Sequence, residues 1–127
     1  MENNFSKSLL SPEEARVGSN HLELGVRLPW YRSLPLSVVE IKDLTIDGQA
    51  VPESKVRLAL NDKVFTLAEL ADQTGEFWYV LDSARLQVDW PIDPARQHRI
   101  GLTVNLYPPY IPGLTWVTLG SLAVQAH

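Results

Sequence analysis

Few side chains in this sequence are of the types that carry out chemistry, and they are widely spaced. The three histidines, His21, His98 and His127, do not have the spacing of a metal-binding motif. The sequence contains no cysteine, which excludes a thiol nucleophile, a disulfide and a thiolate metal site. His21 and His98 each begin a predicted strand, and we expect both imidazoles to be exposed at strand ends.

Nucleophilic and acid–base motifs are also missing from the sequence. It has no phosphate-binding glycine loop and no G-x-S-x-G turn. Asp82, Ser83 and Asp89 have no base close by in sequence, and their types suit turns and a solvated face. Two carboxylates could still meet in space, as in glycoside hydrolases, but the pattern marks no such pair. The sequence therefore favours a binding or accessory domain, with no catalytic, cofactor-binding or metal-binding residue in this chain.

The most distinctive segment is residues 28–36 (LPWYRSLPL), in which two prolines bracket Trp30, Tyr31 and Arg32. Proline lacks an amide donor and favours extended geometry in the residue before it, which predicts a corner between two strands. One interpretation is that the aromatic residues fill the end of a core while Arg32 is solvated. The other is a contact surface, because Trp, Tyr and Arg are enriched at binding hot spots. Arg32 could either stabilise the corner's backbone or pair with a carboxylate across an interface.

A second aromatic segment stiffened by proline lies at residues 107–112 (YPPYIP). Rigid aromatic segments lose little conformational entropy when they dock on a partner. We therefore predict that this loop and the corner lie close together and form the main contact with a partner. The residues predicted to make this contact are Trp30, Tyr31, Arg32, Tyr107, Tyr110 and Ile111.

Length and charge limit the remaining classes of protein. A chain of 127 residues is large enough for one domain with its own core. Its 11 basic and 15 acidic residues give a net charge of −4 without a basic block, which argues against nucleic acid as a partner. The N-terminal residues lack the apolar run of a signal peptide, and no stretch is long enough to span a membrane. We therefore expect a cytoplasmic protein.

Alternating apolar residues predict about eight short strands, which indicates an all-β fold, an antiparallel β-sandwich of jelly-roll type. The clearest strands are residues 20–28 and 100–106. In a strand after the corner, two apolar pairs are out of phase. A β-bulge near Lys42 and Asp43 would bring both pairs to one face: Val39, Ile41, Leu44 and Ile46. Asp47-Gly48 then predicts a tight turn.

A hairpin is predicted at Asn61-Asp62, because both residues tolerate positive φ. A two-residue loop fixes the register of the strands that it joins. The expected pairs are Leu60 with Lys63, Leu58 with Phe65, and Val56 with Leu67.

Two segments carry helix signals. Thr66 and Glu69 match a capping box, which predicts a short helix over residues 67–72. Residues 11–14 (SPEE) resemble a helix start, but Gly18 follows soon after. We therefore expect residues 1–19 to form an extended arm with at most a short helical turn, and residues 20–127 to form the sandwich domain. Residues 77–81, rich in aromatic and β-branched types, predict a further strand.

Several of these features follow one another in a fixed order over residues 17–112. They are Val26-Arg27-Leu28-Pro29, Tyr31-Arg32, Leu34-Pro35-Leu36-Ser37, Asp47-Gly48, the Asn61 turn, Phe65-Thr66-Leu67, Glu69-Leu70, Trp78 and Tyr110-Ile111-Pro112. Together they resemble the small (beta) subunit of bacterial C-glycoside deglycosidases, enzymes that cleave the carbon–carbon bond between a sugar and an aromatic aglycone.

The resemblance implies a division of labour between two subunits. The large subunit would resemble a sugar-isomerase TIM barrel and hold a divalent metal, Mn²⁺ or Mg²⁺, with the acid and base residues. The substrate would be a 3-oxo-C-glycoside of a flavonoid or xanthone. This chain would be a non-catalytic β-sandwich in a hetero-oligomer, where it stabilises the barrel and shapes the aglycone end of the pocket.

A different class of function is also open. A stand-alone carbohydrate-binding β-sandwich would use exposed aromatic side chains as a platform on which a sugar ring stacks. The candidates for that platform are Trp30, Tyr31, Tyr107 and Tyr110.

Overall fold

Antiparallel strands make up most of the chain in the computed structural model, which describes residues 9–18, 20–93 and 95–124. The strands are β1 (Leu10–Gly18), β2 (His21–Arg27), β3 (Leu34–Pro35), β4 (Val39–Ile46), β5 (Gln49–Ala50), β6 (Val56–Leu60), β7 (Lys63–Thr66), β8 (Phe77–Trp78), β9 (Ser83–Val88), β10 (His98–Leu106) and β11 (Trp116–Val124). Short 3-10 helices span Leu36–Val38, Glu53–Lys55 and Leu67–Asp72. Within the described ranges, no helix has the length and apolar character needed to cross a membrane.

Two larger sheets and one short strand pair organise these elements. The first sheet has the order β1-β2-β9-β6-β7, and the second has the order β11-β10-β4-β5. Strands β3 and β8 form the separate pair. Buried residues from both larger sheets belong to one hydrophobic cluster, so the sheets enclose a common core. This confirms the predicted all-β sandwich, with eight strands of four residues or more in the described part of the chain.

The alternating pattern of β2 shows how the core is built. Leu22, Leu24 and Val26 are buried, and each lies opposite a buried residue of β9. Complete burial of one such side chain is worth about 1.5–3 kcal/mol of hydrophobic transfer free energy. The predicted strand and its inward face are therefore confirmed.

The bulge predicted in β4 is present. Asp43 has a φ of 54°, and the register of β4 against β10 shifts between Lys42 and Thr45. The four apolar residues on either side of this irregularity all point inward: Val39, Ile41, Leu44 and Ile46. The tight turn at Asp47-Gly48 follows, with a positive φ at both residues.

The predicted β6–β7 hairpin forms around a two-residue turn. Asn61 and Asp62 have φ values of 54° and 60°, as a type I′ turn requires. Leu58 pairs with Phe65, and the pair next to the turn is in the predicted register.

The third predicted pair of that hairpin is wrong. The ladder ends at Arg57 and Thr66, and Leu67 begins a 3-10 helix. Val56 instead lies opposite Val88 of β9. The chain leaves the sheet here because the capping box starts a helical turn.

That capping box is confirmed by its two hydrogen bonds. The Glu69 amide donates to Thr66 Oγ1 over 3.3 Å, and the Thr66 amide donates to Glu69 Oε1 over 2.9 Å. The helix over Leu67–Asp72 is of the 3-10 type and buries Leu70 in the core.

Two elements differ in part from the predictions. Residues 10–18 are extended, as expected, but they form strand β1 of the first sheet, paired with β2 from Leu10 opposite Val26 to Gly18 opposite His21 with an irregularity between Ser11 and Arg16, and they contain no helical turn. Residues 1–8 and 19 lie outside the described residues, and the domain boundary at residue 19 stays a prediction. The strand predicted over residues 77–81 is limited to Phe77–Trp78.

His98 is buried at the start of β10, with 6% of its surface exposed, so the prediction of an exposed imidazole is wrong. Its Nδ1 lies 2.7 Å from an Asp47 carboxylate oxygen, and its Nε2 lies 2.7 Å from the Asp93 carbonyl oxygen. Because both partners are acceptors, only the doubly protonated imidazolium satisfies both. The hydrogen bond to Asp47, followed by that to Asp93, raises the pKa of His98 above its ordinary value.

His21 begins β2 as predicted and is partly exposed.

A substitution in the β6–β7 turn should stabilise the protein. Glycine adopts the φ of 60° found at Asp62 without strain, so Asp62→Gly should raise the free energy of unfolding by about 0.5–1 kcal/mol. The matched control, Asp72→Gly at the end of a 3-10 helix, should lower it. Thermal unfolding measures both, and an unchanged or lower Tm for Asp62→Gly would contradict the prediction.

His98 should make stability depend on pH. A group whose pKa is raised by folding stabilises the protein below its unfolded pKa, about 6.5 for histidine, and this contribution is lost as the pH rises through the folded pKa. The Tm of the wild type should therefore fall as the pH rises above about 6.5. His98→Asn should be less stable at the lower pH and show a smaller fall, whereas His21→Asn should keep the wild-type difference. Equal pH dependence in all three proteins would refute this assignment.

Candidate functional site

One end of the sandwich, which we call the aromatic end, is formed by three segments: residues 28–33, 77–82 and 108–115. Arg27 at the end of β2 pairs with Ser83 at the start of β9. Leu106 at the end of β10 pairs with Trp116 at the start of β11. The segments that adjoin these strand ends therefore project from the same end of the fold.

Trp30 links the aromatic end to the core. It is 6% exposed and belongs to the hydrophobic cluster. Its indole N–H donates a hydrogen bond to the Tyr110 hydroxyl. Its ring makes an edge contact with Trp116 at a centroid distance of 5.4 Å. Trp30 thus fills the end of the core, as in the first interpretation of the corner, and offers little surface of its own.

Tyr31, Arg32 and Tyr110 form the exposed part of this cluster. The Arg32 guanidinium carbon lies 4.7 Å from the centroid of the Tyr110 ring, which is a cation–π contact. Tyr31 is 62% exposed, and a hydrogen bond with Tyr110 raises the pKa of its hydroxyl. The prediction that the corner lies close to the second aromatic loop is therefore confirmed. The role of these residues as a contact surface stays a prediction.

Tyr107 has a different environment from the other predicted site residues. Its hydroxyl donates to Glu40 Oε1 over 2.9 Å, and the Asn105 side-chain amide donates through Nδ2 to the same oxygen over 2.9 Å. Asn105 and then Tyr107 lower the pKa of Glu40, whereas Glu40 raises the pKa of Tyr107. Tyr107 also lines a groove of about 310 Å³ between β4 and the 3-10 helix Leu67–Asp72. Ile111 is exposed in the loop beside Tyr110.

The third segment of the aromatic end, residues 77–82, was not predicted as part of the site. The Val80 amide donates to Ser33 Oγ over 2.9 Å, which joins this segment to the corner. The Asp82 amide donates to the Tyr79 carbonyl over 2.9 Å and closes a turn. A signal was present in Asp82-Ser83, because aspartate and serine favour turns and they directly follow the apolar run.

The opposite end of the sandwich contains a polar cavity of about 700 Å³. Trp90, Gln49 and Arg96 line it together with Asp47 and His98. Both ring nitrogens of His98 already have acceptors, so they are not available to a metal. No group of three His, Asp or Glu side chains that could hold a metal ion occurs within residues 9–18, 20–93 and 95–124.

The fold and its aromatic end define a small β-sandwich domain with exposed aromatic groups gathered on rigid loops. The chain belongs to the C-glycoside deglycosidase beta subunit family, whose family model matches residues 8–110. The resemblance inferred from the sequence motifs is therefore confirmed. The match includes the corner, the segment 77–82 and Tyr110.

Individual relatives agree with this membership. The chain is 45% identical over 87 residues to a C-glycoside deglycosidase beta subunit of Arthrobacter globiformis, and 39% identical over 87 residues to a 3'-dehydrocarminate deglycosidase beta subunit of Microbacterium sp. It is 42% identical over 86 residues to a C-glycoside deglycosidase beta subunit of Microbacterium trichothecenolyticum. Each alignment covers 68% of this chain and 66% of the relative.

Removal of the Tyr110 hydroxyl should destabilise the aromatic end. Tyr110→Phe leaves the indole N–H of Trp30 without this acceptor, and an unsatisfied donor of this kind costs about 1 kcal/mol or more. We expect the Tm to fall by about 4 °C. Tyr79→Phe is the matched control, because Tyr79 is exposed and stacks on Phe77. Thermal unfolding that gives the same Tm for both variants would show that the hydrogen bond does not contribute.

Proposed function

We propose that this chain is the small, non-catalytic subunit of a C-glycoside deglycosidase complex. Membership of the beta subunit family is the observation that supports the proposal most directly. Relatives from two bacterial genera are each named as the beta subunit of a deglycosidase. A beta subunit implies a second, different subunit, so the protein would act as a hetero-oligomer. The cytoplasm stays our prediction for its location.

The partner in this proposal is a large TIM-barrel subunit similar to sugar isomerases. It would hold the divalent metal, Mn²⁺ or Mg²⁺, and the residues that exchange protons with the substrate. In a 3-oxo-C-glycoside, the ketone acidifies the neighbouring C–H bond. Loss of that proton to a base breaks the carbon–carbon bond to the aglycone, which leaves with the electron pair and is then protonated. A flavonoid or xanthone aglycone suits this step because its phenol groups stabilise the departing carbanion.

The aromatic end is the surface that we propose meets the barrel. Tyr31, Tyr110 and Ile111 are exposed there on loops that contain prolines. Trp30 holds these loops to the core through its hydrogen bond and ring contacts. A preorganised aromatic surface gives up little entropy on association, and it suits a subunit that must keep a neighbouring pocket in shape.

The geometry gives less support to a stand-alone carbohydrate-binding module. Trp30 is buried, and the Tyr107 hydroxyl is bound to Glu40. Arg32 covers one face of the Tyr110 ring. Of the four aromatic residues considered for stacking, Tyr31 has the most accessible ring.

Co-expression with a sugar-isomerase-like large subunit of a C-glycoside deglycosidase tests the proposal. The two chains should co-purify, and the complex should release the free aglycone from a 3-oxo-C-glycoside, whereas this chain alone should release none. The unoxidised C-glycoside is the control substrate, and it should not be cleaved because its C–H bond is not acidified by a ketone. A lone chain that releases aglycone, or a barrel that is equally stable and active without this chain, would contradict the proposed role.

A further inference from the structure

Exposed apolar side chains are concentrated at the aromatic end. Among the described residues, eleven large apolar side chains are exposed, and seven of them lie in the three segments of this end. Three are consecutive: Tyr79, Val80 and Leu81. Leu81 is 88% exposed, more than any of the others. A monomer rarely leaves so large an apolar group of side chains in water unless it is a binding surface.

The segment that carries these residues is held firmly. Trp78 is completely buried, and its indole N–H donates to the Asp82 carbonyl over 2.9 Å. Trp78 also pairs with Leu34 of β3. The turn between Trp78 and Asp82 is therefore fixed at both ends by one buried tryptophan. Leu81 is displayed on this turn by a defined backbone.

The same segment is continuous with the rest of the aromatic end. Val80 is hydrogen-bonded to Ser33, next to Arg32 of the corner. Phe77 stacks on Tyr79 with ring centroids 6.4 Å apart. The seven side chains expose about 700 Å², if a large side chain presents about 200 Å² when free. That area approaches the roughly 800 Å² that one partner contributes to a stable interface of standard size.

We infer that the turn 79–82 is the centre of the surface that docks on the large subunit, with Leu81 inserted into an apolar pocket of that subunit. Tyr79 and Tyr31 surround the insertion and exclude water from it, as residues around a hot spot do. Arg32 at the rim fits a carboxylate of the partner. This inference rests on the proposed function and adds to it the position of the energetic centre, which the sequence-based set of contact residues did not include.

The large subunit is the occupant that the observations favour over a second copy of this chain. The chain belongs to a family of beta subunits, and a beta subunit by definition has a partner subunit of a different sequence. The experiment must distinguish binding to the large subunit from self-association of this chain through the same surface.

The test compares Leu81→Ala with Leu119→Ala in the complex with the same sugar-isomerase-like chain. Leu119 is also an exposed leucine, at 66%, but it lies within β11, opposite Thr103 of β10, and outside the three segments of the aromatic end. Dissociation on dilution, measured by mass photometry, gives the Kd of each complex. Leu81→Ala should raise the Kd by about 30-fold, the size of a hot-spot effect, whereas Leu119→Ala should change it less than about threefold. The Tm of the isolated chain should not change in either variant, because Leu81 makes few contacts within the fold.

Each other outcome overturns a defined part of the inference. If the wild-type complex forms and Leu81→Ala binds like the wild type, the turn is not the centre of the interface, while the proposed function stands. If Leu81→Asp abolishes a dimer of the isolated chain but leaves the complex intact, the surface joins two copies of this chain. If the wild-type chains do not associate, the proposed function fails and the inference fails with it.

Discussion

A buried indole carries one N–H donor that requires an acceptor, and at Trp30 this requirement connects the core to the surface. The acceptor is the Tyr110 hydroxyl, from a loop 80 positions later in the chain. The same ring of Tyr110 carries the Arg32 guanidinium, and the Trp30 ring touches Trp116. The exposed aromatic groups are therefore fixed by the packing of the core. A change in the core at this end would also displace the surface.

The sequence predicted those parts of the fold in which a turn or bulge preference at one position agrees with the alternation of apolar residues in the adjoining strands. Asn61 and Asp62 suit a type I′ turn, and the register that this turn imposes pairs Leu58 with Phe65. The bulge at Asp43 was predictable because two apolar pairs of one strand were out of phase. In both cases only one arrangement places all the apolar side chains in the core.

The parts that were not predicted depend on contacts between distant residues. The helix signal at residues 11–14 is overridden, since β1 pairs with β2 on both sides of this stretch, at Leu10 and Ser11 and again from Arg16 to Gly18. His98 is buried because Asp47 and the Asp93 carbonyl accept its two N–H groups, and no spacing in the sequence shows that they meet. The turn 79–82 looks like the continuation of a strand, but the hydrogen bond from Trp78 to Asp82 reverses the chain there.

The order of the strands also determines how late the sandwich can close as the chain folds. The β6–β7 hairpin joins residues close in sequence, so its pairing closes only a short loop. The central pairs of the two sheets join Leu24 to Leu86 and Ile41 to Val104, which are 62 and 63 positions apart. Closing such long loops costs conformational entropy of the chain before the strand pairs form and offset that cost. The sandwich should therefore fold more slowly than a helical bundle. The apolar faces of β2 and β4 therefore remain open to other chains until the last third of the sequence is available, and during that interval aggregation competes with folding.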